Sequence, residues 1–258
     1  MLGRLAVFST LLCSAAFAFA APSQPVKVAV GDSIVNGTSL QPYKNLWQLS
    51  IIGQGGKTYP DVGTWSDQLE FVRADGRDCL QRTQIARFKK DGQLLATTTT
   101  INIFDPRTMA PISRSFTKHP EKGGDEITQV VFRDAAVHME QTKDGKVESK
   151  DVTLETRPFD FYGGLYGLLL AAFPLKNGFS ASLPSVNEDD PALSWVTFTV
   201  TRQELVDAGP KGRMNAWVVE SDTNLGPMKF WLSKDAPYIL RLEYKAKDGG
   251  MTWIYRMI

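Results

Sequence analysis

The chain has 258 residues, 43% hydrophobic and 22% charged, with 29 basic and 28 acidic side chains and a formal net charge of +1. So even a balance excludes a dedicated nucleic-acid binder, which needs a basic excess along one face. It also excludes attraction to anionic lipid headgroups through charge alone.

In chain order, residues 1–20 read as a secretory signal peptide. Arg4 supplies the positive start, residues 5–18 are apolar and uncharged, and Ala18-Phe19-Ala20 has the small-x-small form of a cleavage site. The apolar run is short for a membrane span and no stop-transfer pattern follows it. Leu12, not a small residue, precedes Cys13, which argues against a lipoprotein. Cleavage after Ala20 leaves 238 residues with 28 basic and 28 acidic side chains, and Cys79 as the remaining cysteine. That length suits one large all-β domain or two small ones, with ample core. No intramolecular disulfide can form, so stability must come from the core. Cys79 itself is expected to be a small buried side chain in a strand.

Residues 21–44 mix Pro, Gly, Ser and Asn and read as an extended leader with one short strand at 26–30. Gly31-Asp32-Ser33-Ile34 looks like the nucleophile block of the GDS-type esterases and lipases, whose serine depends on a histidine near the C-terminus. That histidine is missing: His138 is the last, and 120 residues follow it. Without a base Ser33 is an ordinary alcohol, and the block reads as a turn.

Regular structure is expected from Leu46 onward, in runs of Val, Ile, Thr, Phe and Trp. Asp75-Gly76, Asp91-Gly92, Asp144-Gly145 and Asp248-Gly249 supply the positive φ angles of tight hairpin turns. They bracket predicted strands at 68–74, 79–89, 94–104, 126–133, 137–141 and 147–156. Further strands are predicted at 195–201, 214–220, 228–232, 238–244 and 252–257. Leu240 and Leu242 fall on one face with Arg241 and Glu243 opposite, as strand geometry requires. With short links and no internal repeat, residues 45–258 read as one all-β domain. The expected architecture is an antiparallel meander rolled into an open or closed barrel-like sheet that leaves few free edges.

Residues 161–173 break the β pattern, being uncharged and rich in Leu and Ala until Pro174 stops them. Their second half predicts one short apolar helix, buried around most of its circumference and set as a plug across one mouth of the sheet. His119 lies in a polar stretch that reads as a loop, and His138 in a strand; no pairing has the compact spacing of a zinc site. Glu188-Asp189-Asp190 lacks the alternating spacing of a calcium loop and reads as a solvated acidic loop. No nucleotide fingerprint follows a strand, so no metal and no cofactor are expected.

Aromatic residues concentrate toward the C-terminal strands. With the plug they define a candidate ligand-binding set: Phe161, Tyr162, Tyr166, Leu169, Phe173, Trp217, Trp231 and Trp253. Aromatics dominate β cores, so the same residues also fit plain packing. The sharper expectation is an aromatic-lined space beneath the plug that admits a lipid-like guest.

Three strings carry a resemblance. Thr98-Thr-Thr-Ile-Asn-Ile-Phe-Asp-Pro-Arg-Thr-Met-Ala-Pro-Ile-Ser-Arg114 is one, and residues 212–220 and 229–244 are the others. Together they resemble an uncharacterised family of exported β-rich bacterial envelope proteins, catalogued as a domain of unknown function. That family is similar to the open-barrel lipoprotein-carrier fold. The resemblance implies no catalytic residues. The combined expectation is a periplasmic or secreted, non-catalytic protein with no membrane span after cleavage. It would bind an apolar or lipid-like ligand or the surface of an envelope partner. Two alternatives stay open: an envelope hydrolase whose carboxylates converge only in the fold, and a purely structural or interaction module.

Overall fold

Three of the Asp-Gly pairs turn the chain as their chemistry demands. Asp75, Asp91 and Asp144 have φ of 50°, 52° and 50°, and the glycines after them 76°, 80° and 73°. Positive φ at both central positions matches the right-handed twist of the flanking strands. Asp248-Gly249 lies outside the residues described. The computed structural model describes residues 24–161, 166–186, 192–223, 226–247 and 250–258.

The strands before the helix are β1 (Val26–Lys27), β2 (Tyr43–Ile52), β3 (Thr58–Ala74), β4 (Arg77–Lys90), β5 (Gln93–Phe104), β6 (Pro111–Pro120), β7 (Glu126–Phe132), β8 (Ala136–Lys143) and β9 (Lys146–Thr153). Helix α1 (Tyr166–Ala171) follows. After it come β10 (Ser180–Val186), β11 (Leu193–Asp207), β12 (Arg213–Thr223), β13 (Gly226–Leu232), β14 (Ile239–Lys245) and β15 (Thr252–Met257). Among the described residues these fifteen strands form one sheet in the order β1-β10-β11-β12-β13-β14-β15-β2-β3-β4-β5-β6-β7-β8-β9. The expected all-β, barrel-like meander with one short helix is what the chain forms. Two meanders, β2–β9 and β10–β15, are stitched together where β15 pairs with β2, Tyr255 opposite Leu49 and Trp253 opposite Ile51. Among the described residues the short β1–β10 pairing is parallel, as is the isolated bridge of Phe159 to Ser185.

The ladder does not close on itself; side chains and a strap close the seam instead. Val152 and Leu154 from the β9 side pack with Val186 and Leu193 from β10 and β11, around Val130, Phe132, Val137 and Met139. The strap is the segment after β9. Leu154 N donates to Ala135 O at 2.7 Å and Phe159 N donates to Pro184 O at 2.8 Å, so the segment runs from the β8 turn to the free edge of β10.

One mouth is covered. Asn36 N donates to Ala172 O and Gly37 N to Arg107 O, both at 2.9 Å, while Val28, Val35 and Leu40 are buried there. The expected leader therefore carries β1 and core residues. α1 lies on β13 and β14 beneath this cover. A Cβ on Gly167 would come within 2.6 Å of Ile239 Cδ1, so only glycine allows this approach.

Regular structure expected from Leu46 begins slightly earlier, with β2 at Tyr43, while β6, β10 and the first ten residues of β3 are strand where the sequence predicts none. His119, expected in a loop, lies on β6, opposite Thr97 of β5. Pro111 and Pro120 at the ends of β6, and Pro184 inside β10, are the breakers that hide β6 and β10.

Candidate functional site

Strand register sorts the inner face of the sheet into an aromatic half and a polar half. Trp47 of β2 faces Trp65 of β3, their rings edge-on at 4.9 Å, and Trp65 meets Tyr255 at 5.0 Å. Further along, Phe88 of β4 meets Trp253 of β15 edge-on at 6.2 Å. Trp253 pairs with Tyr244 near the end of β14, whereas the Ile239 that touches α1 begins β14. The two features therefore lie at opposite mouths.

At the mouth away from α1 the sheet opens into a cleft of about 920 Å³, with Ile51, Val62, Phe88, Leu95, Met251 and Trp253 among its lining. Tyr59 stands at its rim, 43% exposed, with the Lys57 ammonium 5.0 Å from its ring. Lys89 beside it pairs loosely with Asp61 at 3.8 Å. An apolar concavity with a few charged groups at the edge is the usual form of a small-molecule site.

The predicted ligand residues divide into three groups. Phe161 stacks on Tyr166 at 4.0 Å, and Tyr166 lies 5.3 Å from Phe198 and 6.5 Å from Phe230. With Leu169 and Phe173, both buried, they form packed core at the covered mouth. Burial raises the Tyr166 hydroxyl pKa well above its ordinary value. Trp217 is half-buried on the inner face, opposite Leu232, while Trp253 lines the cleft. Trp231 alternates onto the other face of the sheet. There its indole N–H donates to Glu204 and the Arg241 guanidinium sits 4.4 Å over its ring. Tyr162 lies outside the described residues.

Sequence reasoning missed a buried polar group on the inner faces of β3 to β6. Arg82 grips Asp67 with both ends of its fork, Nε to Oδ1 at 2.8 Å and Nη2 to Oδ2 at 2.9 Å. The Tyr43 hydroxyl donates to Asp67 Oδ2 at 2.8 Å. Burial first, and then the Asp67 charge, push the Tyr43 hydroxyl pKa well above its ordinary value. Burial works against the Arg82 charge, yet the adjoining Asp67 outweighs it and holds the guanidinium protonated. One strand further on, Arg114 Nη1 donates to Asp160 Oδ1 at 2.9 Å and Asn102 Nδ2 to Asp160 Oδ2 at 2.8 Å. Asp160 belongs to the strap, so this contact fastens the closing segment to the sheet. The pattern was hidden because β4 mixes polar and apolar residues on both faces, and alternation alone could not choose the inner one.

Ser33 is exposed beside a turn in which Asp32 Oδ2 accepts from Ala29 N at 2.7 Å. Among the described residues, no group of three or more His, Cys, Asp or Glu is placed to hold a metal ion. No helix among them is long and apolar enough to cross a membrane.

Residues 80–252 match a family described as "Protein of unknown function (DUF3108)", over more than half of the chain. The chain belongs to the DUF3108 family. The matched span contains all three strings that carried the resemblance, and it takes in Arg82, Gln84, Asn102, Arg114 and Asp160. This DUF3108 chain is also similar to a crystal structure described as a β-barrel-like protein of domain of unknown function DUF1849 from Brucella abortus. The TM-score is 0.55 at 12% identity, covering 87% of this chain and 97% of the other. At that identity the likeness is one of fold. No curated protein matches the chain.

Proposed function

We propose that this DUF3108 protein is exported to the cell envelope and acts without catalysis, holding an apolar or lipid-like molecule in the cleft beside Trp253. The observation that carries the reading is the cleft itself. Its volume of about 920 Å³ lies toward the upper end of the range for small-molecule sites, and its floor is Trp253, Phe88, Ile51 and Val62. The signal-like N-terminus supports export. The interior gives a hydrolase little support, because Asp67 and Asp160 are each ion-paired to a buried arginine.

Native mass spectrometry of protein purified from an envelope fraction without detergent tests the reading. A satellite mass that is lost on organic extraction, and is absent from a Val62→Trp variant that fills the cleft, is the expected result. A clean mass for the wild-type protein, with no binding of added alkyl-chain ligands, would overturn it.

A further inference from the structure

The polar half of the interior contains more hydrogen-bonding groups than its own partners satisfy. Among the described residues, both amide atoms of Gln84, the Nη1 of Arg82 and the Oδ1 of Asn102 have no hydrogen-bond partner. These side chains are 3%, 0% and 0% exposed. They are neighbours: Arg82 lies opposite Asn102 across the β4–β5 ladder, and Gln84 follows two residues along on the same face. Buried polar groups are ordinarily paired, so several unpaired ones in a single patch point to a molecule that pairs them.

Position and charge define that molecule. Phe88, which lines the cleft, lies on the Gln84 face of β4, about 13 Å along the strand. Between them Ala86 and its partner Thr98 are only half-buried, so the inner face is partly open in that direction. Both guanidinium charges of the patch are already taken, Arg82 by Asp67 and Arg114 by Asp160. A carboxylate or phosphate would add a buried charge with no counter-charge, which is strongly disfavoured. What remains is a mixture of donors, at Gln84 Nε2 and Arg82 Nη1, and acceptors, at Gln84 Oε1 and Asn102 Oδ1. A hydroxyl or a primary amide, each both donor and acceptor, matches that mixture.

We propose that the patch around Gln84 is the inner end of the ligand site, and that it selects an amphiphile whose leading end is uncharged and hydrogen-bonding. This rests on the cleft being the entry for an apolar molecule. Three probes with the same alkyl chain, 1-decanol, decanamide and decanoate, separate the two ideas by calorimetric titration. The wild-type protein is expected to bind the alcohol and the amide more tightly than the carboxylate. Gln84→Leu, and Gln84→Met as a second variant of similar volume, are expected to weaken binding of the alcohol and amide by about tenfold while sparing decanoate. If all three probes bind alike, or if both variants bind as wild type does, the patch does not read the ligand and holds water instead, while the cleft reading survives. If no probe binds the wild-type protein, both readings fall.

Discussion

Tyr43 shows how a single buried hydroxyl ties the interior to solution conditions. Its proton is held by Asp67, which Arg82 in turn holds with two hydrogen bonds, and none of the three groups can reorganise alone. Burial, and then Asp67, raise the Tyr43 pKa above its ordinary value; burial does the same for Tyr166 and Tyr255. In the unfolded chain these hydroxyls ionise near pH 10, whereas in the folded chain they keep their protons to higher pH. Above about pH 10 the unfolded state therefore binds fewer protons than the folded one. Their contribution to stability is complete below that pH and is lost as the pH rises. Thermal unfolding followed from about pH 9 to 12 is expected to show a midpoint that falls once the pH passes about 10, with a shallower fall in Tyr43→Phe. A midpoint that stays level over that range would mean these hydroxyls are not held protonated by the fold. None of this network was legible in the sequence, because Tyr43, Asp67 and Arg82 come from three strands and only the register brings them together.

Helix α1 is an element whose sequence cues point both ways. Glycine at 167 lowers helix propensity by roughly 1 kcal/mol relative to alanine, so propensity alone argues for Gly167→Ala as a stabilising change. Packing reverses that. The added Cβ would lie 2.6 Å from Ile239 Cδ1 and 3.1 Å from Phe230 Cδ1, both in the core. Gly167→Ala is therefore expected to destabilise the protein by about 1–3 kcal/mol, measured by urea unfolding. A more stable variant would show that α1 moves freely against β13 and β14. The presence of the helix was legible because residues 161–173 lack any strand alternation; the reason for its glycine was not, since that reason is another strand's side chain. The same limit explains β3. Pro60, Asp61 and Gly63 look like a break, yet the strand runs through them. The missing Cβ of Gly63 leaves room for the Arg87 carbonyl, which a Cβ would approach to 2.1 Å.

At the scale of the whole molecule, stability is unevenly shared between the two ends of the sheet. Strands β2–β4 and β10–β15 contribute to one continuous core with α1 and the N-terminal segment. The arm β7–β9 has its own small core, centred on Val130, Phe132, Val137, Met139 and Leu154. β9 is exposed along nearly its whole length and carries alternating charges, which blunt its free edge against pairing with another chain. Because the ladder is not closed, separating this arm from β10 breaks side-chain contacts and the strap but leaves every other ladder intact. Local opening free energy follows the apolar contact that must be given up. Amides of β8 and β9 are therefore expected to exchange hydrogen through a partial opening, at lower free energy than those of β12–β14, which exchange only on global unfolding. Native-state hydrogen exchange with increasing denaturant distinguishes the two: separate isotherms for the arm and the main core support an open sheet with a laced seam. A single shared isotherm would mean that the strap and the Arg114–Asp160 contact couple the seam as firmly as a closed ladder does.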